Sequence, residues 1–191
     1  MKKFIFAFLV GVICGIPYIL PIFHVTYKGI PFLYQDNEDI YLSRIREVTE
    51  GNYSIASPVF YEYKDSINAQ QPMGEWIYGF VGKIVPLTYL VIFTKFLFPA
   101  LLFLLIFNLV FRLSNHEYAA LFASTAGILG FDMVRISFLK EIVTGTVGFH
   151  LSIWTRLVNP ITGALFLFLF LNILLTVYQQ KRWKHVVFAG V

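Results

Sequence analysis

Three long stretches of this chain contain no charged side chain: Phe4–Tyr27, Phe96–Phe111 and Leu157–Gln180. A run of about 20 apolar residues matches a hydrocarbon core of ~30 Å. Within lipid, such a run must satisfy its own backbone hydrogen bonds, and a single segment does so only as a helix. The composition agrees. Of 191 residues, 58% are hydrophobic and 14% are charged, and the mean hydropathy is +0.70. A water-soluble domain carries about 25% charge, so this chain has too little to wet the surface of a folded core. That excludes an ordinary soluble domain, a disordered tail and a collagen-like repeat. The lone Cys14 excludes an intramolecular disulfide framework and a cysteine-rich zinc site.

The expected fold is all-α: a polytopic set of transmembrane helices with two interfacial amphipathic helices in a large first outer loop. The spans fall at about 4–23, 87–111, 117–134 and 160–178. The first follows Lys2 and Lys3 and lacks an Ala-x-Ala cleavage site, so it reads as an uncleaved span with Cys14 as apolar filler. In the second, Lys95 is expected to snorkel toward the headgroups. The third is the weakest, because Tyr118–Phe131 covers only ~21 Å at 1.5 Å per residue. It reads either as a span with Glu117 and Asp132 at the two interfaces or as a re-entrant segment. The fourth is opened by Pro160 and closed by Lys181, Arg182 and Lys184. After that basic cluster, residues 186–191 resemble the start of a fifth span, which makes the chain read as a piece of a longer membrane protein.

Charge sets the orientation. Met1–Lys3, Arg112–Glu117 and Gln179–His185 together hold six Lys/Arg and one acid, whereas His24–Pro86 holds five Lys/Arg and eight acids. The positive-inside rule therefore places the N-terminus in the cytoplasm of a multi-pass protein of the plasma or inner membrane. Loop 24–86 and the Arg135–Pro160 segment then face outward.

The outer loop carries the most chemistry. Tyr41, Leu42, Ile45 and Val48 recur at helical spacing, with Arg44, Arg46, Glu47 and Glu50 on other faces, and Gly51-Asn52 forms a stop. A second amphipathic helix is expected over Pro72–Val85, with Trp76, Ile77, Phe80 and Ile84 on its apolar side. Both suit the membrane surface. Asp36, Glu38 and Asp39 sit at the start of the first. As caps and first-turn acids they complement the helix dipole. As carboxylates at a membrane surface they are candidates for a general base, or for holding a divalent cation such as Mg or Mn.

The arrangement resembles the GT-C superfamily, the polytopic glycosyltransferases that use polyprenyl- or dolichyl-phosphate sugars, including protein mannosyltransferases and aminoarabinose transferases. Glu38-Asp-Ile-Tyr41 is similar to the Glu and Tyr of an Asp-Glu-x-x-Tyr motif, Arg44 or Arg46 to its following Arg, and Gly51 to its Gly. Asn37 stands where that motif has its Asp, so the base falls to Asp36 or Asp39. Arg156-Leu-Val-Asn-Pro160, just before a span, is similar to an element of related bacterial and archaeal membrane proteins. The resemblance implies transfer of a sugar from a polyprenyl-phosphate donor to an acceptor on the outer face, by direct displacement with inversion.

Such a donor needs cations for its phosphate, and Arg135, Lys140 and Arg156 lie on the outer side. Ordinary anchoring to lipid headgroups is the competing role. The aromatic residues of the loop read as an interfacial belt or as sugar-stacking faces. His24 and His150 are single histidines that could join a metal site. No phosphate-binding glycine loop, nucleophile elbow, zinc helix motif or internal repeat is found, and nothing points to nucleic acid. The expected partners are the lipid bilayer, a polyprenyl-phosphate-linked sugar and an unspecified acceptor. The alternative is a non-enzymatic polytopic protein, either a transporter subunit or a catalytically inactive scaffold.

Overall fold

A computed structural model describes residues 1–19, 38–55, 72–133 and 153–180. Among the described residues the fold is all-helical. The helices are α1 (Lys2–Ile19), α2 (Glu38–Glu50), α3 (Met73–Gly82), α4 (Leu87–Ser114), α5 (Glu117–Met133) and α6 (Ile161–Gln180), with a short 3-10 turn at Ile153–Thr155 before α6. Two of them, α4 and α6 over Leu87–Ser114 and Ile161–Gln179, are long and apolar enough to cross a membrane. The expected third segment is an unbroken helix from Glu117 to Met133. Asp36, Arg135, Lys140, His24, His150 and residues 186–191 lie outside the described residues.

The central element is α4, which packs against α1, α5 and α6. Its direction relative to each follows from polar contacts at the two ends. At one end Lys3 Nζ donates to Asn108 Oδ1 (3.3 Å), and Lys2 lies 3.8 Å from Glu117. At the same end Arg112 donates to Asn172 O (3.1 Å), Thr176 Oγ1 (2.7 Å) and Gln179 Oε1 (2.6 Å). The start of α1, the end of α4, the start of α5 and the end of α6 therefore meet there. At the other end Tyr18 of α1 reaches Thr155, just before α6. Thus α4 and α6 run one way, and α1 and α5 run the other. The reversal between α4 and α5 takes two residues. Asn115 supplies the left-handed turn at φ 53°, a conformation asparagine tolerates. His116 Nδ1 then accepts the Ala119 N–H at 3.3 Å.

The core of this bundle joins Ala7, Val10 and Cys14 of α1 to Leu102, Phe103 and Ile106 of α4, with Ala120 and Ile128 of α5 and Ile161 of α6. Much of the outward surface is apolar too: Phe4 and Phe8, Phe93, Phe122 and Phe170 are exposed. Close approach of α1 to α4 depends on Gly11 and Gly15, spaced four apart, as small residues allow in tight helix pairs. A Cβ at Gly11 would meet the Phe96 carbonyl oxygen at 2.6 Å, and one at Gly15 would meet the Phe96 ring at 2.4 Å. Backbone cannot yield as a flexible side chain can. Gly11→Ala is therefore expected to destabilise the bundle by about 1–3 kcal/mol, the usual cost of overpacking. Gly163→Ala, where nothing lies within 4 Å, should be neutral or stabilising. Thermal unfolding of both variants in detergent compares them, and equal stabilities would refute the close-packing account.

The two short helices form a second layer at the Tyr18 end. Ile45 of α2, Tyr78 of α3, Leu90 and Val91 of α4, and Leu157 and Val158 share a separate core, with Tyr41 and Leu42 packed against it. α2 obeys its sequence pattern: Ile45 and Val48 are fully buried, and Gly51 closes it at φ 100°. The apolar side read from the spacing of α3 is turned outward, and the helix packs through its other side. Gly74, Glu75, Tyr78 and Gly79 are buried, whereas Trp76, Ile77, Phe80 and Ile84 are exposed. Packing explains the choice. A Cβ at Gly79 would lie 2.4 Å from Val48 Cβ, and one at Gly74 would lie 2.6 Å from Val158 Cγ1. Only the glycine face lets α3 approach both neighbours.

Candidate functional site

The layer formed by α2, α3 and residues 153–160 gathers polar groups that are far apart in sequence. Asn159 Nδ2 donates to Tyr41 Oη at 3.4 Å, a long contact spanning 118 residues. It joins the segment that opens α2 to the segment that precedes α6. Beneath it, Leu157 and Val158 are buried against Ile45. The Val158 carbonyl accepts the Thr162 N–H at 3.0 Å, and the Pro160 carbonyl accepts the Ala164 N–H at 3.0 Å. These bonds make the first turn of α6.

Arg44, one turn beyond Tyr41, faces Glu75 of α3, with Nη1 3.6 Å from Oε1. The pair is buried: the Arg44 side chain is 13% exposed and that of Glu75 only 3%. Glu75 Oε2 has no hydrogen-bond partner among the described residues. The exposed side of α2 carries a second pair, Arg46 Nε to Glu50 Oε1 at 2.8 Å. That hydrogen bond, with the carboxylate's charge, raises the Arg46 pKa above its usual value, but an exposed pair of this kind contributes little to stability.

Deeper in the bundle, Lys95 of α4 is 2% exposed. Its Nζ donates to the Thr155 carbonyl at 2.9 Å and lies 4.2 Å from the centre of the Tyr18 ring. The Tyr18 hydroxyl donates to Thr155 Oγ1 at 2.8 Å. This corrects the expectation that Lys95 snorkels to the surface. With α4 beginning at Leu87, Lys95 lies more than two turns inside the helix and faces α1 rather than the exterior. Close by, the Tyr78 hydroxyl donates to Thr94 Oγ1 at 2.8 Å, which itself donates to the Val91 carbonyl.

Of the residues singled out from sequence, Glu38 and Asp39 form the first turn of α2, although their side chains lie outside the described residues, as do Asp36, Arg135 and Lys140. Arg156 is exposed, at the turn between the 3-10 helix and α6. The Tyr41–Asn159 contact therefore brings together two separately identified motifs, Glu38–Tyr41 and Arg156–Pro160. Among the described residues no group of three or more His, Cys, Asp or Glu side chains could hold a metal ion.

Sequence reasoning missed two features. Arg44 is read from sequence as part of a polar face and as one of two matches to the motif's Arg, without a partner, and Glu75 goes unremarked within an amphipathic helix. One signal was present: Glu75 is the only acid in the stretch Met73–Pro86, and Lys95 is the only charge in Leu87–Phe111. Isolated charges in apolar helices need partners.

No family model matches the sequence, and no curated protein or solved structure is similar to it.

Proposed function

We propose that this chain forms part of an integral membrane glycosyltransferase of the GT-C type, which moves a sugar from a polyprenyl-phosphate donor to an acceptor on the outer face. The observation that carries this reading is the meeting of Tyr41 and Asn159. It draws a carboxylate-bearing segment and an arginine-bearing segment to the same end of the bundle, where transfer from a phosphate-linked sugar needs both a base and a cation. In this reading Asp36 or Asp39 accepts the proton of the attacking acceptor hydroxyl or amine as it bonds to the anomeric carbon. The bond from that carbon to the phosphate oxygen breaks, and the lipid phosphate departs with the electron pair. Arg156, with Arg135 and Lys140, stabilises the phosphate.

The membrane disposition supports the same reading. The exposed apolar surfaces of α1, α4 and α6 suit contact with lipid, and the Trp76–Ile84 face of α3 suits the outer interface. The four bundle helices then cross alternately. The Lys2–Glu117–Arg112 end lies in the cytoplasm and the Tyr18–Thr155 end lies outside. Cysteine labelling on intact cells tests this in a Cys14→Ala background. A cysteine at Arg156 should react with an impermeant reagent, and one at Asn115 should react only after permeabilisation. The reverse pattern would sink the orientation. Reaction at both positions would remove the crossing by α5.

A second reading has one observation in its favour. A buried lysine in a membrane-length helix is also a mark of transport proteins. Direct assay separates the two. Turnover of a polyprenyl-phosphate sugar by the purified full polypeptide supports transfer, whereas flux without turnover supports transport.

A further inference from the structure

We infer that Lys95 is a positioning residue, which holds residues 153–160 in place through its Nζ and so sets where Arg156 and Asn159 stand. The inference deepens the transferase reading, because it concerns the placement of the arginine assigned there to the donor phosphate. Its warrant is geometric. Lys95 is 2% exposed and reaches the main chain of residue 155, immediately before Arg156, at 2.9 Å. The face of Tyr18 lies 4.2 Å away on the other side, and Tyr18 fixes the same residue through Thr155 Oγ1. Three elements, the end of α1, the body of α4 and the turn before α6, thus converge on Thr155, which is itself 2% exposed.

Packing alone does not call for a lysine here. Methionine has nearly the same length and would fill the space without desolvating a charge, and well-packed apolar groups commonly replace buried ions at no loss of stability. What the ammonium adds is direction. It bonds a particular carbonyl at the turn before Arg156, where the Arg156 N–H to Ile153 O contact is a long 3.4 Å. A cation over a tyrosine face gains from the ring quadrupole when desolvated. That keeps the charge in place while its proton points at Thr155. Without it, residues 153–160 would still be anchored by Leu157 and Val158 against Leu90 and Val91 and by the Trp154 Nε1–Gly127 carbonyl hydrogen bond, but the turn bearing Arg156 would lose its polar tie from Lys95 to the Thr155 carbonyl.

The test uses the full chain in nanodiscs, with Cys14→Ala and spin labels at two exposed positions, Tyr89 on α4 and Ile153 on the 3-10 turn. The distance distribution should be narrow with Lys95 present and markedly broader in Lys95→Met. A control pair at Tyr89 and Phe122 across α4 and α5 should not change, showing that the bundle stays folded. Tyr18→Phe keeps the ring but loses the hydroxyl, so it should broaden the first distribution less. If Lys95→Met leaves the 89–153 distribution as narrow as before, the positioning role is overturned. It is overturned equally if both label pairs broaden together, because Lys95 would then support the whole bundle.

A second measurement separates this inference from the transferase reading. Binding of undecaprenyl phosphate is titrated through the fluorescence of Trp154, two residues from Arg156, in a Trp76→Phe, Trp183→Phe background that leaves it the sole tryptophan. Lys95→Met should weaken it about tenfold, and Arg156→Ala by at least as much. An unchanged affinity in Arg156→Ala would refute the phosphate role of Arg156. The spin-label distances would still decide the role of Lys95.

Discussion

Asp36→Asn in the full polypeptide is expected to lower sugar transfer by about two to four orders of magnitude, the usual loss when a general base is removed, while leaving expression and membrane insertion intact. The substitution is chosen for what it preserves. Asparagine caps a helix nearly as well as aspartate, so α2 should still start near Glu38. If Asp36 served only as a cap, activity should change little. Asp39→Asn is the necessary companion, because Asn37 stands where the GT-C motif has its aspartate and the base falls to either neighbour. One of the two variants should lose transfer, measured as turnover of a polyprenyl-phosphate sugar in detergent or nanodiscs. A carboxylate that holds a divalent cation would also make turnover sensitive to chelator and recoverable with Mg or Mn. Near-normal transfer in both variants would end the carboxylate mechanism and leave the acids as first-turn charges of a surface helix.

The second large effect is expected at the buried pair between α2 and α3. Removing one partner of a buried ion pair leaves the other charge uncompensated and costs about 3–5 kcal/mol. Glu75→Ala should do this to Arg44, and Arg44→Ala should do it to Glu75. Each should loosen α2 from α3, which are otherwise held by the tight Gly79–Val48 contact and by Ile45. Replacing both at once, as Arg44→Met with Glu75→Leu, should recover most of the lost stability, because the desolvation of two charges disappears with the pair. The measurement is a double-mutant cycle on thermal unfolding in detergent. Additive losses, with no recovery in the double variant, would show that the two residues act independently despite their 3.6 Å separation.

Much of the helical plan was legible in the chain. The charge-free run and basic closure of Leu157–Gln180 mark α6, and the observed helix covers Ile161–Gln180. The spacing of Tyr41, Leu42, Ile45 and Val48 marks α2, because an amphipathic helix must bury one stripe whatever it packs against. The candidate site was legible only as two disconnected motifs. Nothing in the spacing of residues 41 and 159 says that they meet. That contact depends on α4 and α6 running in the same direction, with α2 packed on α3 and α3 on α4.

The chain's local pattern marks which segments are helical and too apolar for an ordinary water-soluble fold, since backbone hydrogen bonding and side-chain periodicity are local properties. It does not say which residues a helix turns toward its neighbours. α3 buries Gly74, Glu75, Tyr78 and Gly79 and leaves Trp76, Ile77 and Phe80 exposed. Likewise Lys95, which local rules send outward, is buried beside Tyr18 and Thr155. Both arrangements follow from long-range packing, for one reason. Close backbone approach at glycines and the pairing of a buried charge depend on partners from distant parts of the chain, which local spacing does not encode.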